Sequence, residues 1–200
     1  MSTTFTLHQI SVSDMDNNVY LIASEGKGLL IDAAADAPAI FRLAEEAGVE
    51  ITDVLTTHRH EDHTRALPEI LERTGARHWA SFLDAPALPA PVDVELGDDD
   101  AIEFVGQRLN TMILRGHTPG GAAVVVDIDG TPNAFVGDSL FPGGLGKTAG
   151  EGEFVRLFKE VTTKLFDVYP DATIVRPGHG EPTTLGKERA SLDEWWRRRW

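Results

Sequence analysis

Short apolar runs separated by polar residues mark the first part of the chain. Residues 19–22 and 28–31 are bounded by Asn, Gly and Asp, as buried strands tend to be. Apolar residues between positions 40 and 47 then recur at helical spacing, and Gly48 ends that element. We therefore predict strands followed by a helix for this region.

The pattern continues on both sides of a histidine-rich segment. Residues 51–57 are predicted as a strand, the histidine-rich segment as a loop, and the apolar stripe over residues 66–71 as a helix. Four further strands are predicted in the middle of the chain, at residues 101–105, 107–114, 122–128 and 134–136.

The last part of the chain is predicted to be mainly helical. An amphipathic stripe covers residues 154–168, a strand follows at 173–175, and a final helix begins near Gly186. The strands fall into two groups along the chain, and each group has its own helices. This pattern predicts two sheets packed face to face with helices outside. The expected fold is α/β, a four-layer αββα sandwich of two mixed β-sheets, in a single domain spanning residues 1–200.

Composition narrows the classes of function. The net charge of −14 disfavours binding to nucleic acid and to anionic membranes. No apolar run reaches the roughly 18 residues that a membrane-spanning helix needs, and the first residues do not resemble a secretion signal. The chain contains no cysteine, which excludes disulfides and thiolate ligands. We expect a cytoplasmic protein, monomeric or homodimeric, with a small-molecule partner.

The strongest chemical signal is the string Thr-His-Arg-His-Glu-Asp-His over residues 57–63. It holds His58, His60 and His63, three of the seven histidines, together with Asp62. Imidazole and carboxylate groups this close together commonly hold a divalent metal ion. The alternative interpretation is a polar surface loop.

Three more loops carry candidate ligands directly after predicted strands. They are residues 116–120 with His117, residues 137–139 with Asp138, and residues 177–180 with His179. Strand ends on a rigid sheet bring together loop residues that are distant in sequence. Glycines beside these residues allow a close approach of the backbone.

Five histidines and two aspartates suffice for two divalent ions. Coordination lowers the pKa of a bound water towards about 7, which gives a nucleophile at neutral pH. A metal ion also stabilises a developing oxyanion. Hydrolysis is the reaction expected of such a site, and metal that merely holds loops together is the alternative.

The order T-H-x-H-x-D-H, G-H-T-P-G, G-D-S-L-F, P-G-H-G resembles the metallo-β-lactamase superfamily, most closely the glyoxalase II-like (hydroxyacylglutathione hydrolase-like) hydrolases. The resemblance implies the αββα fold and two divalent metal ions. Zn²⁺ is the expected metal, with Fe or Mn as alternatives. It implies His58, His60 and His117 as ligands of the first ion. It implies Asp62, His63 and His179 as ligands of the second, with Asp138 bridging the two.

The resemblance extends to residues around the ligands. Asp62 and Asp138 become the candidate catalytic residues beside the metal-bridging hydroxide. Asp32, at the end of a predicted strand, either orients a ligand histidine or simply terminates the strand in a turn. Lys147 either binds the carboxylate of an anionic acyl substrate or is a solvated loop lysine. Ala149 and Glu181 depart from the family pattern, which has tyrosines at these positions.

Two enzyme classes follow as hypotheses. The first is a dinuclear metal-dependent hydrolase that cleaves a thioester or a carboxylic ester. The alternative is a mononuclear Fe(II) enzyme similar to persulfide dioxygenases, whose iron has two histidine ligands and one aspartate ligand. Lactonase or phosphodiesterase activity is a further alternative.

Overall fold

The computed structural model describes residues 4–199, and these residues form two six-stranded sheets and a short hairpin. The first sheet follows chain order: β1 (Thr6–Val12), β2 (Asn17–Ser24), β3 (Lys27–Ile31), β4 (Glu50–Thr56), β5 (Arg77–Ser81) and β6 (Val94–Leu96). The strands after it along the chain are β7 (Ala101–Phe104), β8 (Gln107–Leu114), β9 (Gly121–Ile128), β10 (Thr131–Gly137), β11 (Leu140–Phe141), β12 (Gly144–Leu145), β13 (Ile174–Pro177) and β14 (Thr183–Thr184).

The second sheet has the order β14-β13-β10-β9-β8-β7, while β11 and β12 pair only with each other. Both large sheets are mixed. In the first, β1 to β3 are antiparallel and β3 to β6 are parallel. In the second, β13 is parallel to β10 and the other pairs are antiparallel.

Helices cover the outer face of each sheet. They are α1 (Ala37–Ala47), α2 (Leu67–Thr74), α3 (Glu151–Val161), α4 (Leu185–Arg189) and α5 (Leu192–Arg198). The side chain of Asp36 accepts a hydrogen bond from the backbone N–H of Ala39 and so caps α1, which ends at Gly48 in a left-handed conformation (φ 68°).

Alternate residues of β2 show why the layers form. Tyr20 and Ile22 belong to the core between the two sheets, whereas Val19 and Leu21 pack in the core beneath α1 and α2. Because β2 is buried on both faces, the middle of the strand, residues 19–23, has no alternation of polar and apolar residues. A third core joins the second sheet to α3, α4 and α5 through residues such as Leu157. The predicted αββα sandwich is confirmed.

Several details of the prediction were wrong. The stripe predicted over residues 154–168 does not form one helix, because α3 ends at Val161 and a wider π-helical turn, Thr162–Phe166, follows. The wider turn shifts the register, so Val168 lies outside the stripe and is 63% exposed. The final helix is two helices, α4 and α5. Strands β6, β11, β12 and β14 have two or three residues each, too few to produce a periodic pattern.

Residues 1–3 and Trp200 lie outside the described part of the chain, and the single domain over residues 1–200 stays a prediction. Within residues 4–199, no helix has both the length and the apolar character needed to cross a membrane.

Candidate metal centre

The candidate ligands all follow strand ends at the edge where the two sheets meet. The loop from His58 to His63 follows β4 of the first sheet, while His117, Asp138 and His179 follow β8, β10 and β13 of the second. Backbone hydrogen bonds join the sheets here. The N–H of Ala122 donates to the carbonyl of Thr57 (2.7 Å), and residues 17 and 179 pair as an isolated bridge.

Three histidines form the first group of candidate ligands. Nδ1 of His60 lies 3.1 Å from Nε2 of His58 and 3.1 Å from Nε2 of His117. The three ring nitrogens therefore point at one common position, although His117 is 57 residues from His60 in sequence.

The second group consists of two histidines and an aspartate. Nε2 of His63 lies 3.0 Å from Nε2 of His179. Oδ2 of Asp62 is 3.4 Å from the His63 nitrogen and 3.2 Å from the His179 nitrogen. Within each group, the three candidate ligand atoms lie no more than 4.8 Å apart.

Asp138 lies between the two groups. Its Oδ2 is 3.6 Å from Nε2 of His117 in the first group and 3.4 Å from Nε2 of His179 in the second. Its Oδ1 is 3.4 Å from Nε2 of His63, and this buried oxygen has no hydrogen-bond partner among the described residues. The structure thus brings together all seven residues that the sequence singled out.

The outward-facing nitrogens of four histidines are held by hydrogen bonds. An imidazole N–H that donates on one side leaves a lone pair on the other nitrogen, directed into the site. The Nδ1–H of His58 donates to Oγ1 of Thr57 (3.0 Å), and that of His63 donates to Oδ2 of Asp32 (2.9 Å). The Nδ1–H groups of His117 and His179 donate to backbone carbonyls, those of Lys147 (2.7 Å) and Met15 (2.8 Å) respectively.

Asp32 both ends its strand and contacts a candidate ligand. It lies directly after β3 in the left-handed region (φ 58°), which Asp tolerates better than most residues. Its Oδ1 accepts a hydrogen bond from the backbone N–H of Thr57 and its Oδ2 accepts one from Oγ1 of Thr57, each at 2.7 Å. Oδ2 also accepts the hydrogen bond from His63. The two sequence interpretations of Asp32 are therefore compatible.

The electrostatics of the site favour positive charge at the second group. Burial opposes a charge on His63, but the carboxylates of Asp138 and Asp32 raise its pKa to about 10. Contact with Asp138 also raises the pKa of His179, against the effect of burial. Burial opposes ionisation of Asp138, yet His179 and His63 hold its pKa far below the ordinary value.

The first group has the opposite tendency. Burial and the neighbouring His63 lower the pKa of His58 well below its ordinary value. Burial and the neighbouring His117 lower the pKa of His60. Neutral imidazoles are the form that binds metal, so these residues present nitrogen lone pairs at neutral pH.

The donor set fits divalent metal ions. Nitrogen lone pairs facing each other at 3.0–3.1 Å repel unless a proton or a cation lies between them. Imidazole and carboxylate ligands without thiolate suit Zn²⁺, Fe²⁺ and Mn²⁺. Gly178 allows the close approach, since a Cβ at this position would overlap Oδ1 of Asp138 and lie 2.6 Å from Cε1 of His63.

Lys147 lies next to the candidate ligands through its backbone. Its carbonyl holds His117, and its side chain is exposed beside a cavity of about 510 Å³ that Thr148 and Arg199 also line. The two histidines outside the motifs, His8 and His78, lie on β1 and β5.

Sequence reasoning did not identify two residues that contact this loop. Nδ2 of Asn17 donates to Oδ2 of Asp62 (2.9 Å), and Oδ2 of the buried Asp84 accepts from the backbone N–H of Arg59 (3.1 Å). Asn17 is a fully buried polar residue at the start of a strand whose middle is apolar, and that position was the available signal. Asp84 lies in a region with no motif.

A family model supports a relationship over most of the chain. The model of the Metallo-beta-lactamase superfamily matches residues 12–183. Hydroxyacylglutathione hydrolase of Fuscovulum blasticum is 36% identical over 166 residues, 82% of this chain and 62% of that protein. Hydroxyacylglutathione hydrolase GloC of Haemophilus influenzae is 30% identical over 203 residues, 91% of this chain and 94% of that protein. The chain thus spans about 62% of the length of the first relative.

Solved structures share the same architecture. ETHE1 from Myxococcus xanthus has a TM-score of 0.78 and 29% identity, covering 92% of this chain and 81% of that one. TTHA1623 in a di-iron-bound form has a TM-score of 0.75 and 26% identity, covering 91% of this chain and 96% of that one.

Proposed function

The chain belongs to the metallo-beta-lactamase superfamily, as its four motifs predicted, and on that premise we propose that it is a dinuclear metal-dependent hydrolase acting on a thioester or carboxylic ester. The observation that carries the proposal is the position of Asp138, whose carboxylate contacts histidines of both candidate ligand groups. A single carboxylate between two sets of ligands is placed where it can bridge a pair of ions.

The ligand assignment follows the two groups. We assign His58, His60 and His117 to one ion, Asp62, His63 and His179 to the other, and Asp138 to both. When bound, the ions supply Lewis acidity and lower the pKa of coordinated water. Zn²⁺ is the proposed metal, with iron or manganese as alternatives, and the di-iron form of TTHA1623 supports a two-ion centre in this fold.

The protein's own residues prepare the site for this chemistry. Asp32 holds the proton of His63 on Nδ1, and the carbonyls of Lys147 and Met15 do the same for His117 and His179. These hydrogen bonds orient the rings before the metal arrives, so little reorganisation is needed on binding. The amide of Asn17 orients Asp62 in the same way.

The proposed substrate is a small anionic acyl compound, and a hydroxyacyl thioester of glutathione is its leading candidate. The names of the two relatives support this class, and Lys147, whose carbonyl contacts His117, carries an exposed cation that favours an anionic substrate. Ala149 and Glu181, in place of the family's tyrosines, favour a binding mode for the rest of the molecule that differs from glyoxalase II. Cytoplasmic location and a monomeric or homodimeric state stay predictions.

Elemental analysis combined with a thioester assay tests the proposal. We expect about two metal ions per chain after reconstitution and hydrolysis of S-hydroxyacyl glutathione thioesters. A chelator should abolish the hydrolysis and Zn²⁺ should restore it. Well under one ion per chain after reconstitution would rule the proposal out. Including lactones and phosphodiesters in the assay distinguishes the further alternatives.

A second candidate is a mononuclear Fe(II) enzyme similar to persulfide dioxygenases. Two histidines and one carboxylate that leave open positions are typical of non-haem iron oxygenases. Among the seven candidate ligands, such a set is offered by His58, His117 and Asp138, since Oδ2 of Asp138 lies 3.6 Å from Nε2 of His117. Oxygen uptake with glutathione persulfide, together with one iron per chain, would favour this candidate over the hydrolase.

A further inference from the structure

Glu188 is a buried acid with no part in the proposed hydrolysis. It lies on α4 and only 3% of its surface is exposed. Burying a carboxyl group is costly unless hydrogen bonds compensate the loss of hydration. Its contacts therefore indicate what the group does in the fold.

The two oxygens of Glu188 bind two different segments. Oε1 accepts a hydrogen bond from Oγ1 of Thr183 (2.6 Å), on β14, four residues after His179. Oε2 accepts one from the backbone N–H of Gly143 (2.9 Å), in the β11–β12 hairpin, five residues after Asp138. One carboxyl group thus joins the segments that follow two candidate ligands.

The hairpin continues directly to the candidate metal centre. The N–H of Gly146 donates to the carbonyl of Ser139 (3.2 Å), and the next carbonyl, of Lys147, accepts the hydrogen bond from Nδ1 of His117 (2.7 Å). Gly146 lies so close to the main chain of Asp138 that a Cβ would overlap its carbonyl oxygen. Movement of the hairpin would therefore displace the backbone acceptor of His117 and the backbone that carries Asp138.

A second helix holds the same hairpin residue from its other side. Nη2 of Arg198, on α5, donates to the carbonyl of Gly143 (2.6 Å), while Nη1 of Arg198 pairs with Glu194 at 3.2 Å. Both backbone groups of Gly143 are thus fixed by side chains from the C-terminal helices. Of these two side chains, Glu188 is the one that also contacts the segment after His179.

We infer that Glu188 is a positioning residue for the metal centre. It acts through Gly143 and Lys147 on His117 and Asp138, and through Thr183 on the segment that follows His179. This inference rests on the proposed metal binding. Groups hydrogen-bonded directly to a metal ligand typically change metal affinity about 10–100-fold when removed. Glu188 is further from the ligands, so we expect its effect at the lower end of that range.

Four variants test the inference. Glu188→Leu removes both hydrogen bonds while keeping much of the volume, and Thr183→Val removes only one of them. Glu188→Gln is the conservative variant, because its amide oxygen can accept from Gly143 while its NH₂ donates to the hydroxyl of Thr183. Asp53→Leu is the matched control. Asp53 is also buried and accepts from two neutral donors, Nε1 of Trp79 and Oγ1 of Thr52, each at 2.9 Å in the first sheet.

The readouts are the Zn²⁺ dissociation constants from chelator competition, the visible spectrum of the Co²⁺-substituted protein and thermal unfolding. We expect Glu188→Leu to weaken binding of at least one ion about 10-fold and to change the Co²⁺ spectrum. Thr183→Val should have a smaller effect, and Glu188→Gln should restore near-wild-type affinity. Asp53→Leu should lower thermal stability and leave affinity and spectrum unchanged.

Wild-type affinity and spectrum in both Glu188→Leu and Thr183→Val would overturn the inference. Equal losses of affinity in Asp53→Leu and Glu188→Leu would overturn it as well, because the effect would then reflect general destabilisation. If Glu188→Leu fails to fold, wild-type affinity and spectrum in Thr183→Val alone would overturn it. Wild-type protein that binds no divalent ion would instead refute the proposed function, and this inference with it.

Discussion

Two clusters of charged or ionisable side chains lie in different parts of this protein and are built in opposite ways. One is the candidate metal centre. The other, here called the ion network, consists of Asp98, Arg115, Glu160 and Lys164, between β8 and α3. In the ion network every cation faces an anion, as in the 2.9 Å contact between Arg115 and Glu160. In the metal centre, ring nitrogens face other ring nitrogens.

The difference shows how a ligand site can be told from a structural ion cluster. Groups that satisfy one another need no further partner. Histidines whose outward nitrogens are mostly hydrogen-bonded, and whose inward nitrogens face one another, need a proton or a cation between them. Cavity size is no substitute for this criterion, since the ion network, whose groups satisfy one another, lines a cavity of about 920 Å³. The chemistry of the facing atoms is therefore the better guide to function.

The largest expected effect comes from Asp138→Ala. This change removes the group that contacts both sets of ligands, so we expect kcat/KM for thioester hydrolysis to fall at least about 100-fold, the upper end of what indirect partners cause. Steady-state kinetics with metal analysis provides the measurement. Arg115→Met, in the ion network, should keep wild-type kinetics. Comparable losses in both variants would remove the distinction between the two clusters.

A smaller effect is expected from Asp32→Asn. An amide keeps the volume but places its NH₂ group either against the backbone N–H of Thr57, or against both the hydroxyl of Thr57 and Nδ1–H of His63. In the second orientation the proton of His63 shifts towards Nε2, the nitrogen that faces the site. We expect Zn²⁺ affinity to fall about 10–100-fold, as measured by chelator competition. Unchanged affinity would show that Asp32 only terminates its strand.

The smallest effect is expected from Asp98→Asn. Burial opposes ionisation of Asp98, but Arg115 and Lys164 lower its pKa. A lowered carboxyl pKa stabilises the fold above the ordinary value of about 3.9, and this stabilisation is lost as pH falls through the lowered folded-state pKa. Because the side chain is 41% exposed, we expect the variant to lose less than about 1 kcal/mol at neutral pH.

Urea unfolding at neutral pH and below pH 4 provides the measurement for Asp98. The difference between wild type and Asp98→Asn should shrink in acid, while metal content stays the same at neutral pH. A change in metal content at neutral pH would connect the ion network to the metal centre and contradict the comparison above.

Much of the site could be predicted because its residues are marked locally. His58, His60 and His63 stand in one string, and His117 and His179 are flanked by glycines after apolar runs. Motif spacing thus indicated which residues converge. The acceptors behind His117 and His179 could not be predicted in this way, because they are main-chain carbonyls of Lys147 and Met15, which any residue type provides.

Parts of the fold were unpredictable for related reasons. Val168 continued the helical spacing, but the π-helical turn after α3 changed the register, and no residue type marks such a turn. Glu188 gave no signal either, since an isolated glutamate on a short helix is ordinarily exposed.

The sequence by itself indicated most of the longer strands and helices, the four-layer arrangement and the set of seven candidate ligands, since periodicity and local motifs record those directly. Tertiary structure alone decided which ligand nitrogens face one another, that Asp138 lies between the two groups, and that Glu188 joins the segments after Asp138 and His179. The physical reason is that these relations depend on contacts between loops of different strands. Their distances are set by how the two sheets pack, which no local pattern encodes.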